Sequence, residues 1–375
     1  MRVGLYRARD VNSKAKGIDL MKTSVCAATL LVLVLMSPST SLASPESLNS
    51  AYAKYQKALR DNNNEVALEY AKLALELGEA RLQPSDITLA YLKVNLAKLL
   101  DAEQEDKALT LFADAMELYE SHYNDDAIEL IDILLPYAKR IDNDKQAKSM
   151  MFDALDIAED ANNPLLLAEV QLATFERLVS TKLYSRKVSR LPGKALAIFQ
   201  EHGHGFSPSQ LKAEFLSAKV FVSNKKYQRA SEQFESILSQ LNELEFTHPY
   251  ALASHAQLVE AYEELGDSDK ATKHCIAIGA MRPWKDNQQQ LPVYRAAPKY
   301  PMSALLNGVD GKVKVEVEVD ANGFVSVTKV IDSRGGSQFV RKTVEAIEKW
   351  RYAPKFENGK PVVATTSVEL EFSIQ

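Results

Sequence analysis

Residues 311–325 read GKVKVEVEVDANGFV. Val313, Val315, Val317 and Val319 alternate with Lys314, Glu316, Glu318 and Asp320. A period of two puts every valine on one face of a strand and every charge on the other. That pattern describes an antiparallel strand with one covered and one wet face. Asp320-Ala321-Asn322-Gly323 then supplies a hairpin connection, with Asn-Gly providing positive φ.

Downstream, a second strand is expected from about Phe324 to Asp332. Between Ser337 and Trp350 the spacing of Phe339, Val340, Val344, Ile347 and Trp350 is helical. Strand periodicity returns at the end of the chain. There Val368, Leu370, Phe372 and Ile374 alternate with Ser367, Glu369, Glu371 and Ser373. The order is β–β–α–β, with a short helix near Met302 to Leu306 ahead of it, so one helix covers one face of a small antiparallel sheet.

Upstream, residues 282–293 form a polar linker bounded by Pro283 and Pro292. Before it, residues 44–281 read as helix after helix. Apolar residues recur at i, i+3, i+4 and i+7, and Gly and Pro are sparse. Small and bulky residues repeat as triplets: Ala67, Ala71, Ala74; Ala108, Phe112, Ala115; Ala147, Met151, Ala154; Ala230, Phe234, Ile237; Ala271, Cys275, Ile278. Their first members are 41, 39, 83 and 41 residues apart, so the period is near 40, with one degenerate copy around Tyr184 to Phe199 broken by Pro192-Gly193. A small residue lets two helices approach, and a bulky one fills the groove beside it. One helical hairpin cannot bury its own apolar face, so about six must stack. The fold class is therefore α+β with two domains, a helical array followed by the small sheet domain.

At the N-terminus, Met21-Lys22 precedes an apolar run from Val25 to Met36, then Ser41-Leu42-Ala43. This reads as a signal peptide over residues 1–43, cleaved after Ala43, with an uncleaved inner-membrane anchor as the alternative. Met21 competes with Met1 as the start. Cleavage leaves Cys275 alone, so no internal disulfide is expected. Of the net −5, residues 1–43 hold +4 and 292–375 hold +2, leaving −11 on residues 44–291. An acidic array has no electrostatic footprint for nucleic acid.

No Gly-rich phosphate loop, nucleophile elbow or paired-carboxylate pattern appears, so no catalytic residue, cofactor or metal is expected. His202-Gly203-His204 lacks a third ligand at a helpful spacing and reads as a solvated loop. His248, ahead of Pro249, reads as a turn or helix-boundary residue, and Cys275 as a small buried hydrophobe.

Two resemblances follow from these residues. Tyr227-x-x-Ala230-x-x-x-Phe234 and Leu258-x-x-Ala261-Tyr262-x-x-x-Gly266-Asp267-x-x-x-Ala271 resemble the tetratricopeptide repeat family, with a period nearer 40 than 34. That implies a scaffold with a concave surface for an unidentified protein partner; a structural spacer is the alternative. Tyr300-Pro301-x-x-Ala304, the 311–325 stretch, Ser333, Ala346-x-x-x-Trp350-Arg351-Tyr352-x-Pro354 and Gly359-x-Pro361-Val362 together resemble the TonB C-terminal domain over residues 294–375.

The second resemblance implies a periplasmic protein that captures a TonB-box peptide of an outer-membrane transporter by β-strand addition. It further implies transport coupled to proton-motive force through an ExbB–ExbD system, and it permits a homodimer. By resemblance the docking edge is the third strand, with Val368, Glu369, Leu370, Glu371 and Phe372 as contacts, joined by Tyr300 and Pro301. Arg351 is either structural or faces the docked strand. The competing reading is an envelope scaffold that uses both domains for protein contacts without energy transduction.

Overall fold

A computed structural model describes residues 47–203, 207–242, 248–281 and 290–374. The expected signal peptide, His204 and most of the linker lie outside the described residues. The described residues divide within one helix into two compact units, those up to Ala213 in the first and those from Glu214 onward in the second.

Helices pair along the array as expected. They are α1 (Leu48–Arg60) with α2 (Asn64–Arg81), α3 (Ile87–Leu99) with α4 (Glu105–His122), and α5 (Ile131–Arg140) with α6 (Asp144–Asp160). Then come α7 (Pro164–Leu178), the one-turn α8 (Arg186–Ser189) and α9 (Leu191–His202). The array ends with α10 (Pro208–Ser223), α11 (Tyr227–Leu241), α12 (Pro249–Leu265) and α13 (Ser268–Met281). Every residue of the five triplets is buried. The degenerate copy is Ala195 and Phe199, also buried, on α9. Pro192 does not break that helix. It occupies the first turn, where its missing N–H costs nothing.

In the first unit a second repeating device accompanies the triplets. Arg140 at the end of α5 donates to Leu100 O, at the end of α3, and pairs with Glu105 Oε2 at 2.7 Å. Arg177 near the end of α7 repeats this on the next copy. It donates to Ala138 O (2.7 Å) and Ile141 O (2.9 Å) and pairs with Asp144 at 2.9 Å. Each guanidinium closes the orphan carbonyls of one helix and holds an acid in the first turn of the next.

In the second unit α12 and α13 are followed by β1 (Pro292–Tyr294), α14 (Met302–Leu306), β2 (Gly311–Val319), β3 (Val325–Arg334) and α15 (Ser337–Ile347). Two short strands, β4 (Arg351–Tyr352) and β5 (Lys355–Glu357), precede β6 (Lys360–Val362) and β7 (Ala364–Phe372). The expected β–β–α–β core is β2–β3–α15–β7, a three-stranded sheet in the order β3-β2-β7. All four alternating valines of β2 are 0% exposed, packed with Phe339, Ile347, Leu370 and Phe372. The pairing β1–β4 and the hairpin β5–β6 are additions that the periodicity did not announce.

The β2–β3 turn differs from the expected Asn-Gly geometry. Only Gly323 has positive φ, +83°; Asn322 does not. The carboxylate of Asp320 organises the turn, accepting from Asn322 N and Phe324 N, each at 2.9 Å. Gly323 is needed twice over, because a Cβ there would lie 2.1 Å from Tyr352 O. Gly323→Ala should therefore cost at least about 2 kcal/mol in denaturant unfolding. Gly359→Ala should cost less: Gly359 also has positive φ, +75°, but nothing lies within 4 Å of its Cβ position.

Candidate functional site

The expected docking residues fall on β7 and on the segment before α14. β7 pairs with β2 without interruption from Gly311↔Phe372 to Val319↔Ala364. Among the described residues no strand pairs with its other side. β3 forms the opposite edge, but its pairing with β2 shifts register at Lys314/Val315 and again at Glu316/Val317. Such bulges spoil the regular row of donors and acceptors that a further strand needs. The sheet thus has one regular edge and one irregular edge.

Along β7 the side chains alternate. Leu370 and Phe372 are buried, Val368 is half-buried, and Glu369 and Glu371 are exposed. Lys312 Nζ on β2 reaches Glu369 Oε1 at 2.8 Å. Leu370 and Phe372 therefore offer a partner their backbone only. Tyr300 is brought to the same end of the strand. Its ring meets Phe339 and Phe372 edge-on, with centroids 5.7 and 5.8 Å away. Its hydroxyl donates to Val309 O at 2.8 Å and to Asp310 Oδ1 at 3.3 Å. Asp310 Oδ1 also accepts from Ile374 N at 3.1 Å, tying the end of the chain to this segment. Burial, reinforced by Asp310, raises the Tyr300 pKa, so the phenol stays a donor. Pro301 is buried ahead of α14.

Arg351 sits elsewhere. It is 1% exposed. Its guanidinium pairs with Glu263 of α12 and donates to Thr272 Oγ1 of α13 (2.6 Å) and to Asn322 O (3.1 Å). It also lies 3.8 Å from the Phe324 ring centroid. Of the two roles open to it, the geometry provides the internal one. Around it Val259, Cys275, Ile278 and Ala353 form a common core. Tyr294 OH donates to Glu264 Oε1 at 2.8 Å. A Cβ on Gly279 would lie 2.5 Å from Pro354 O. The last helical hairpin and the β1–β4 side of the sheet domain are thus one packed body. Cys275 is a buried hydrophobe, its thiol pushed up to about 12 by burial, against the pull of Arg351.

The histidines missed by motif reasoning lie in the same unit. His274 Nε2 sits 3.2 Å from Glu235, and His274 Nδ1 is 2.8 Å from His255 Nδ1. These contacts assign the neutral tautomers, with His255 Nδ1–H donating to His274 and His274 Nε2–H to Glu235. Burial pushes His255 from 6.5 down to about 4, and lowers His274 as well. The unfolded chain therefore takes up protons first as the pH drops. Stability that is whole above pH 6.5 should decline towards pH 4. His255→Gln should flatten that part of the melting-temperature profile. A slope unchanged by the substitution would remove this pair as its cause. His248 caps α12, its Nδ1 accepting from Tyr250 N at 3.1 Å, as a helix-boundary residue should.

Residues 296–374 match the family model described as "Gram-negative bacterial TonB protein C-terminal". Relatives are confined to the same region. Protein TonB of Yersinia enterocolitica is 36% identical over 58 residues, covering 16% of this chain and 23% of that protein. Protein TonB of Pseudomonas aeruginosa is 30% identical over 84 residues, covering 22% and 25%. Protein TonB of Xanthomonas campestris pv. campestris (strain B100) is 34% identical over 77 residues, covering 20% and 34%. The chain therefore spans about a quarter to a third of the length of these relatives. Solved structures similar to the helical part include the apo form of RapI (15% identity, TM-score 0.47, 62% of this chain and 64% of that one). Another is PilW, a type IV pilus biogenesis factor (16%, TM-score 0.44, 64% and 95%).

Proposed function

We propose that this chain is an exported envelope protein whose second unit binds an extended peptide of an outer-membrane transporter as a fourth strand beside β7. In doing so it supports TonB-dependent transport driven by proton-motive force. The carrying observation is the regular ladder of β7 on β2, with no described strand on the other side of β7, inside the segment that matches the TonB C-terminal family model. Main-chain hydrogen bonds along that edge supply affinity, and the alternate side chains supply selectivity. The helical repeats hold a second protein, and energy comes from an ExbB–ExbD system or a TonB that works with it. Titrating the full chain with N-terminal peptides of transporters from the same organism tests this. Micromolar binding is expected, because a short strand pairing must offset the ordering of a flexible peptide. No binding at high micromolar peptide removes the transporter reading.

A second reading has its own support. The sheet domain is packed onto the last helical hairpin through the buried Arg351–Glu263 pair, so the edge is carried by a repeat-bearing body. That suits an adaptor which joins two envelope proteins and transmits no force. Transporter uptake that persists when the gene is deleted, while the peptide still binds, would favour the adaptor.

A further inference from the structure

The β7 edge carries an order of charge that a docked strand must match. On the exposed face of the sheet, Lys312 lies opposite Glu371 on β7 and Arg334 on β3. Lys314 lies opposite Glu369 and Asp332, and Glu316 opposite Ser367 and Lys329. Glu318 lies opposite Thr365 and Ser326. Read along β7, the outermost row is therefore Glu371, Glu369, Ser367, Thr365, acidic at one end and hydroxylic at the other. Glu369 shares its charge with Lys312 at 2.8 Å, whereas Glu371 forms no ion pair among the described residues.

Distance decides which charges a fourth strand feels. It would lie about 4.8 Å from β7 and twice that from β2. With 1/r decay and a screening length of about 8 Å, the Glu371 carboxylate outweighs a charge one strand further back roughly fourfold, while the charge of Glu369 is partly offset by the Lys312 ammonium beside it. The edge is thus acidic to an incoming strand although the face as a whole is mixed. The other face differs. There Leu370 and Phe372 are buried, while Val368, Thr366 and Ala364 are only half-buried at the rim of the core. Alternate residues of a docked strand fall beside them and extend the apolar layer.

We propose, resting on the strand-addition reading above, that the partner is a cationic amphipathic strand. One set of alternate residues is apolar, and the other carries lysine or arginine opposite Glu369 and Glu371, followed by small polar residues opposite Ser367 and Thr365. Glu371 is the principal specificity residue. Segments with acids at those two positions are rejected.

The test uses the full chain and two synthetic peptides. In the first, valine alternates with lysine, lysine, threonine and serine; its twin has glutamate at both lysine positions. Fluorescence anisotropy at low salt should show the lysine peptide binding about tenfold more tightly, since each exposed cross-strand charge pair changes binding by up to about fivefold. The gap should fall below about twofold at high salt. Joint Glu369→Lys and Glu371→Lys substitution should reverse the preference, with circular dichroism confirming the fold; Glu371→Gln alone should reduce it. Equal affinity of the two peptides, or a preference unmoved by the double reversal, overturns the charge code and leaves strand addition standing. If neither peptide binds at millimolar concentration, strand addition falls and the charge code with it.

Discussion

Arg351→Ala should lower the melting temperature of the transition that reports on Trp350 by about 10 °C. Removing one partner of a buried ion pair costs about 3–5 kcal/mol, because the other charge stays buried without compensation. In a unit of this size each kcal/mol moves the midpoint by about 2–4 °C. The pair is well enclosed: the side chains of Arg351 and Glu263 are 2% and 13% exposed. Among the described residues Glu263 keeps Ser268 Oγ, at 3.1 Å, once the guanidinium is gone. Arg351 also binds Thr272 and Asn322, so one substitution unties α13 and the β2–β3 turn together. Replacing both members by apolar residues, Arg351→Met with Glu263→Leu, should recover much of the loss, since no orphan charge remains. A midpoint unchanged in Arg351→Ala would mean that the hairpin and the sheet domain do not hold each other. A double variant no better than the single would assign the loss to packing instead of charge.

This contact also marks where the sequence stops being readable. The valines of β2 were legible because burial on one face imposes a period of two over nine residues. The Ala and Phe triplets were legible because each helical crossing repeats the same steric need. Arg351 and Glu263 are 88 residues apart, and neither period contains information about their meeting. The clasps of Arg140 and Arg177 escaped for a related reason. A lone arginine near a helix end reads as surface, and its carbonyl partners have no side-chain signature. β1 and β4 are three and two residues long, too short to show alternation. The β5–β6 hairpin did carry a signal, Asn358-Gly359. Both residues have positive φ, 51° and 75°, as an Asn-Gly hairpin turn requires. Within the proposed docking site, the alternation of β7 showed which side chains face the core. That Pro301 is buried and that Asp310 ties Tyr300 to Ile374 depended on tertiary packing.

Proline scanning of β7 should separate binding from folding at adjacent positions. In an antiparallel strand, successive residues turn their N–H groups alternately toward one neighbour and the other. Val368 and Glu369 therefore differ: one amide faces β2, and the other faces the open edge. Proline removes a donor and is tolerated only where that donor faces solvent. At the outward position it should leave the melting temperature within a few degrees and reduce transporter-peptide affinity at least about tenfold. There a hydrogen bond is lost and the ring obstructs the approaching strand. At the inward position it should break the β2–β7 ladder and lower the midpoint sharply. Glu369→Gln should weaken binding far less than the outward proline, because the main chain supplies most of the affinity. The readouts are calorimetric titration of the full chain with transporter peptide and circular dichroism melting of each variant. If both prolines leave affinity unchanged in folded protein, the peptide does not add to β7. If the outward proline abolishes binding while the fold persists, the open edge of β7 is the docking surface.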